Sequence, residues 1–148
     1  MKKISLAILA AALVALAVGA YAIAAAKPYK VAAALTAKAE VPAPKGATGK
    51  GTFTGTYVEN KTGAVLKWKL TYSGLTGAAA AAHIHKAKPG VAGAVLVPLC
   101  GPCKNGMTGT ANISKAVVAA LESGGTYVNV HTAKNGAGEI RGQVKVTG

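Results

Sequence analysis

The chain is 148 residues long, enough for one ordinary domain and too short for two separate cores. Hydrophobic residues make up 51% and charged residues only 14%, a balance that excludes an intrinsically disordered chain and a heptad coiled coil. Lysine and arginine number 17 against four acidic residues, all glutamate, giving a formal charge of +13 that admits an anionic partner without naming one.

Met1, Lys2 and Lys3 begin the chain with positive charge, and Ile4 to Val18 is apolar apart from Ser5, the layout of a secretory signal peptide. Alternating small residues from Ala20 to Ala26 suit cleavage with a mature start between Ile23 and Lys27, so residues 1–26 are read as the signal and residues 27–148 as the exported domain. The alternative is an uncleaved anchor, because Ile4 to Ala26 is long enough to cross a bilayer core of about 30 Å as a helix. Export places the domain in the periplasm or the extracellular space, where Cys100 and Cys103 can pair.

Beyond the signal the dominant period is two. Val31 to Val41 reads as a first strand, ended by Pro42 and Pro44. From Gly49 to Val58, Phe53 and Tyr57 share a face with glycines while Lys50, Thr52, Thr54 and Thr56 lie opposite. From Val65 to Tyr72, Leu66, Trp68, Leu70 and Tyr72 face inward and Lys67, Lys69 and Thr71 outward, with Asn60 to Gly63 as the connecting turn. Further strands are expected around His83 and over Ala94–Leu99, Met107–Ile113, Thr126–Thr132 and Glu139–Val146, with Pro98 at an edge or a strand end. Ala78 to Ala82 is ambiguous between helix and strand, since alanine favours helix and the following His-Ile-His alternation favours strand. Ser114 can cap a short helix from Lys115 to about Ser123, which Gly124 would stop. These elements predict an all-β, antiparallel Greek-key β-sandwich of about eight strands with one short helix.

Leu35-Thr36 with Glu40-Val41-Pro42, then Ala82-His83-Ile84-His85, Tyr127-Val128-Asn129-Val130-His131-Thr132 and Gly138-Glu139-Ile140-Arg141-Gly142-Gln143 follow one another in an order that resembles the CHRD domain family, named for chordin and found also in exported bacterial proteins. The resemblance spans about Val31 to Val146 and implies an extracytoplasmic all-β binding or structural module, with no settled activity. Chordin's antagonism of growth factors is attributed to cysteine-rich repeats that this chain lacks, so it is not carried over.

On a strand, His83 and His85 project from one face, as do Asn129 and His131 on another. If the two strands are neighbours, His83, His85 and His131 converge in a group that suits Zn or Cu with one position open, and Asn129 or Glu139 can orient a ring through its second nitrogen. The competing reading is that each imidazole hydrogen-bonds backbone and fixes the sheet edge. His-x-His on a Greek-key strand is similar to copper-zinc superoxide dismutases, which makes a metal-dependent enzyme an alternative. Three histidines and no aspartate cannot assemble that enzyme's binuclear site.

Cys100-Gly101-Pro102-Cys103 has the spelling of a thioredoxin-type redox motif, so a thiol-disulfide oxidoreductase is the third class. The turn-like residues that follow, Gly106 and Gly109 among threonines, favour instead a structural disulfide contributing about 2 kcal/mol in the chain-entropy model. The basic residues are dispersed along the sequence, nearly all are lysine, and aromatics are only 5%, a poor set for reading bases. A Lys-rich surface of this kind predicts salt-sensitive attraction to an anionic lipid, polysaccharide or extracellular nucleic acid, without sequence-specific recognition.

Overall fold

The computed structural model describes residues 27–148, so the signal expected at residues 1–26 lies outside the described residues. Nine strands form in chain order: β1 (Tyr29–Thr36), β2 (Lys50–Glu59), β3 (Gly63–Ser73), β4 (Ala79–Lys86), β5 (Ala94–Cys100), β6 (Thr108–Ser114), β7 (Thr126–Thr132), β8 (Ile140–Gln143) and β9 (Lys145–Thr147). One α-helix, α1 (Lys115–Glu122), lies between β6 and β7.

All pairings are antiparallel, in the order β5-β4-β7-β8-β1-β2-β3-β6, with β9 beside β1. β6 returns to β3 past β4 and β5, which is the Greek-key connection. The two ends of the order, β5 and β6, touch, so the sheet curls into a nearly closed barrel-like sandwich. The expected architecture is thus the observed one.

Strand alternation builds the core. Val31, Ala33 and Leu35 of β1, Phe53 and Tyr57 of β2, and Leu66, Trp68 and Leu70 of β3 all point inward and are buried. Asn60 turns β2 into β3, its Oδ1 accepting from the backbone N–H of Thr62 at 2.9 Å and of Gly63 at 3.0 Å. Ser114 caps α1 by accepting from Val117 N–H at 3.4 Å, and the chain leaves the helix through Gly124 at φ +68°. Val118 and Leu121 seat the helix on the barrel end, where Glu122 accepts a 2.8 Å hydrogen bond from the Tyr57 hydroxyl.

Two boundaries differ from the sequence reading, and one ambiguity is resolved. The first strand stops at Thr36 and passes into a 3-10 turn at Ala37–Ala39, well before Pro42. The last strand is interrupted at Val144, whose N–H turns to Thr126 O at 3.0 Å, leaving β8 against β7 and β9 against β1. The alanines from Ala79 onward are strand, because pairing with β7, joined by β5 from Ala82, engages their backbone and overrides helical propensity. Pro98 sits in β5, which hydrogen-bonds only β4, so its missing donor is harmless there.

Close packing leaves little room at Gly109, which faces Trp68 across the β3–β6 ladder. A Cβ there would run into the indole ring, whereas one at Gly77 would meet nothing within 4 Å. Gly109→Ala is therefore expected to lower unfolding free energy by about 1–3 kcal/mol and Gly77→Ala by less than about 0.5 kcal/mol, measured by urea denaturation.

Candidate functional site

β4, β7 and β8 are covered on both faces. Inward, Ala82, Ile84, Val128, Val130 and Ile140 join the core. Outward, the register sets Ala81 opposite His131, His83 opposite Asn129 and His85 opposite Tyr127, with Arg141 and Gln143 of β8 continuing the last two rows. Directly paired residues point to the same side of a sheet, so the polar residues of three strands form one layer.

This layer is roofed by the segment that joins β4 to β5. Arg141 Nη2 donates to Lys88 O at 3.2 Å and Val91 O at 2.8 Å, and Gln143 Nε2 donates to Ala87 O at 2.7 Å. Arg141 is only 1% exposed, unlike the lysines that make up the rest of the basic residues of the described strands. Its guanidinium lies 3.4 Å from the centroid of the Tyr127 ring, and that ring stacks on His85 with centroids 4.8 Å apart and planes 9° from parallel. Glu40 enters from the chain beyond β1, its carboxylate 4.0 Å from Arg141 Nη1 and accepting from Asn129 Nδ2 at 3.4 Å.

The three imidazoles converge at the edge of this layer. His83 and His131 have ring centroids 4.9 Å apart, His83 and His85 5.5 Å, and His85 and His131 6.1 Å. One ring nitrogen from each can be chosen so that all three lie within 4.8 Å of one another. Backbone carbonyls determine which nitrogens of His85 and His131 carry hydrogen. His85 Nδ1 meets Gly93 O at 2.8 Å and His131 Nδ1 meets Gly136 O at 3.0 Å. A carbonyl only accepts, so both Nδ1 atoms carry hydrogen, and an imidazole with a single hydrogen there has its lone pair on Nε2. His131 Nε2 takes the Nδ1–H of His83 at 3.0 Å, while His85 Nε2 is buried with no partner.

Burial, followed by the neighbouring imidazoles, lowers the pKa of His83 below the usual histidine value. Burial likewise lowers that of His131, against opposing contributions from the Gly136 carbonyl and the Glu40 charge. Both rings are therefore held neutral near pH 7, the state in which imidazole donates to a metal.

Asn129 and Glu139 hydrogen-bond other groups than the imidazoles, and the carbonyls of Gly93 and Gly136 meet the Nδ1 atoms of His85 and His131. Asn129 holds Glu40. Glu139, fully buried, accepts from Thr76 N at 2.6 Å, Thr76 Oγ1 at 2.7 Å, Thr132 Oγ1 at 2.6 Å and Asn135 Nδ2 at 3.0 Å. It thereby pins the turn that carries Gly136 under His131. Sequence reasoning missed Glu40, Tyr127 and Arg141 as parts of the layer; the only signal for them was their place in the family-like segments.

Cys100 and Cys103 lie at disulfide distance, 2.08 Å between sulfurs. Cys100 ends β5, and the chain runs through a turn into β6, so neither cysteine stands at the helix N-terminus that a thioredoxin-type site uses to lower a thiol pKa. Cys103 is buried, with its N–H bonded to Ala79 O at 3.0 Å and its carbonyl accepting from Tyr72 Oη at 3.0 Å.

The CHRD domain family matches the chain over residues 31–144. No curated protein and no solved structure matches it. No helix among the described residues is long and apolar enough to cross a membrane.

Burial alone would raise the Glu139 pKa, but the hydrogen bonds from Thr132, Asn135 and Thr76 outweigh it and hold the carboxyl below its ordinary value of 4.5. A depressed folded-state pKa contributes stability that is complete above about pH 5 and is lost as pH falls through the folded value. Glu139→Gln should cost about 1–3 kcal/mol at pH 7, by turning an amide group toward donors, and should flatten the acid limb of stability below pH 4.5 in urea titrations.

Proposed function

The chain belongs to the CHRD domain family, and from that premise we propose that it is an exported, non-enzymatic binding module that holds one Zn or Cu ion through His83, His85 and His131. In this reading residues 1–26 are a cleaved signal, residues 27–148 form the mature domain, and the protein works in the periplasm or outside the cell. Cys100 and Cys103 then form a structural disulfide in that oxidising compartment.

The observation that carries the metal assignment is the buried, unpartnered Nε2 of His85, on a ring that lies beside two other imidazoles with ligand nitrogens within 4.8 Å of one another. An unmade hydrogen bond at a buried polar atom costs about 1–3 kcal/mol, and an ion would remove that cost. In a tetrahedral site with Zn–N bonds of about 2.05 Å, ligand nitrogens stand about 3.3 Å apart, so the 3.0 Å contact between His83 and His131 must open slightly and His85 must draw closer. His83 would also have to shift its proton from Nδ1 to Nε2. An all-imidazole donor set suits both Zn and Cu, and the partial exposure of His83 and His131 leaves room for a further ligand.

Binding is favoured over metal-dependent catalysis because the carboxylates near the cluster are engaged. Glu139 accepts four hydrogen bonds, and Glu40 is shared between Asn129 and Arg141. Neither is placed to accept a proton from a metal-bound water.

Calorimetric titration of metal-free protein with Zn and with Cu is expected to show one ion per chain for at least one of them. At free metal about 100 times Kd, stability should rise by about 2.7 kcal/mol. His85→Ala should weaken binding by more than the 10–100-fold typical of losing an outer-shell partner, and the triple His→Ala variant should bind neither ion while keeping its β-sheet circular dichroism. Equal titrations for wild type and the triple variant would remove the assignment.

A further inference from the structure

A second surface lies away from the histidines, on the outward side of β9, β1, β2, β3 and β6. The register aligns Thr147, Lys30, Thr56, Lys67 and Thr110 in one row across five strands. The next row is Lys145, Ala32, Thr54, Lys69 and Thr108. Every one of these side chains is exposed, and apart from Ala32 every one is threonine or lysine. The rows frame a shallow trough of about 730 Å³ that runs across the strands, with small Ala32 in its floor. At about 4.8 Å between strands, five strands give it a length of about 19 Å.

No carboxylate answers these lysines. The chain has only four acidic residues. Glu40 and Glu139 are buried in the layer beside the histidines, and Glu122 and Glu59 flank Tyr57 at the barrel end. Exposed sheets ordinarily gain from opposite charges set across from one another, yet here each lysine in the two rows has threonine or alanine as its cross-strand neighbour. The lysines that look dispersed in sequence are thus gathered by the fold into an unneutralised band edged with hydroxyls.

The chemistry of the band selects among anionic partners. Its exposed side chains include no aromatic and no arginine for stacking on or reading bases and no large apolar group to enter a lipid layer, because Trp68 and Val31, which also line it, belong to the inward face and are buried. Threonine hydroxyls both donate and accept, which suits a ligand that carries hydroxyls as well as charge. A trough across the strands accommodates a chain better than a plane. We propose that this trough binds a linear, carboxylate-bearing polysaccharide, with Lys30, Lys67 and Lys69 meeting its carboxylates and the neighbouring threonines its hydroxyls. The site is independent of the metal cluster.

The test is binding of polygalacturonate oligosaccharides to the purified protein, followed by calorimetry, with neutral dextran oligosaccharides and phosphatidylglycerol vesicles as the other arms. The expected result is binding to polygalacturonate alone, weakened about tenfold between about 50 and about 200 mM salt. Lys30→Gln, Lys67→Gln and Lys69→Gln together should weaken it at least about tenfold, whereas Lys86→Gln, Lys88→Gln and Lys104→Gln, an equal loss of charge elsewhere, should change it less than about twofold. Thr54→Val with Thr108→Val leaves charge and strand propensity intact and should weaken it about threefold. Absence of binding, equal losses in the two lysine variants, no effect of the threonine pair, or vesicle binding as tight as polygalacturonate with the same lysine dependence would each overturn the proposal.

Discussion

Antiparallel pairing of β4 with β7, in one register from Ala81 to Lys86, is the constraint on which the site depends. Setting Ala82, Ile84, Val128 and Val130 toward the core fixes His83 and His85 on the opposite face of one strand and Asn129 and His131 on that of the other. Strand periodicity permits no compromise, because a slip of one residue would exchange the two faces completely. Burying an aliphatic side chain of this size contributes about 1.5–3 kcal/mol, so the register is enforced by packing energy that the histidines do not have to supply. The imidazoles therefore sit on rigid elements, and only their ring rotations are left to be set locally by the carbonyls of Gly93 and Gly136.

Behind the rings lies a polar layer with an unusual distribution of satisfied and unsatisfied atoms. Arg141 is desolvated, and two loop carbonyls, the Tyr127 ring and the nearby Glu40 carboxylate together compensate it. Tyr127 links this cation to the metal candidate, since one ring touches both the guanidinium and His85. Yet Arg141 Nη1, Asn129 Oδ1, Thr126 Oγ1 and His85 Nε2 are all buried without a partner. Native interiors keep such atoms few, and their concentration around one strand marks a place where stability has been subordinated to something else. The opposite side of the barrel shows the contrary pattern, with a solvated lysine and threonine surface whose charges have no internal counterpart.

Much of the fold was legible because its signals are local. Alternation in Phe53–Tyr57 and Leu66–Leu70 required no partner to interpret, nor did Ser114 and Gly124 at the ends of the helix. The end of β1 at Thr36 was not legible, since the residues up to Val41 still alternate and it is the 3-10 turn delivering Glu40 to Arg141 that stops the strand. Convergence of the histidines was readable only as a condition, because nothing in the residues says which strands adjoin. The carbonyl partners were invisible for a further reason: a backbone acceptor has no sequence signature, so side chains such as Asn129 and Glu139 drew the assignment. The burial of Arg141 was not legible because composition counts a buried guanidinium with exposed lysines, and the lysine band was not legible because proximity across β1, β2 and β3 exists only after pairing.

Two backbone carbonyls hold the Nδ1–H groups of His85 and His131 and so leave the Nε2 lone pairs for a ligand, which can be tested without any metal. Long-range ¹H–¹⁵N correlation spectra of the imidazoles, recorded on metal-free protein near neutral pH, report which ring nitrogen carries hydrogen. The account predicts hydrogen on Nδ1 and none on Nε2 at both His85 and His131. Hydrogen on Nε2 of either ring would put a proton where a ligand lone pair is required, and would contradict it.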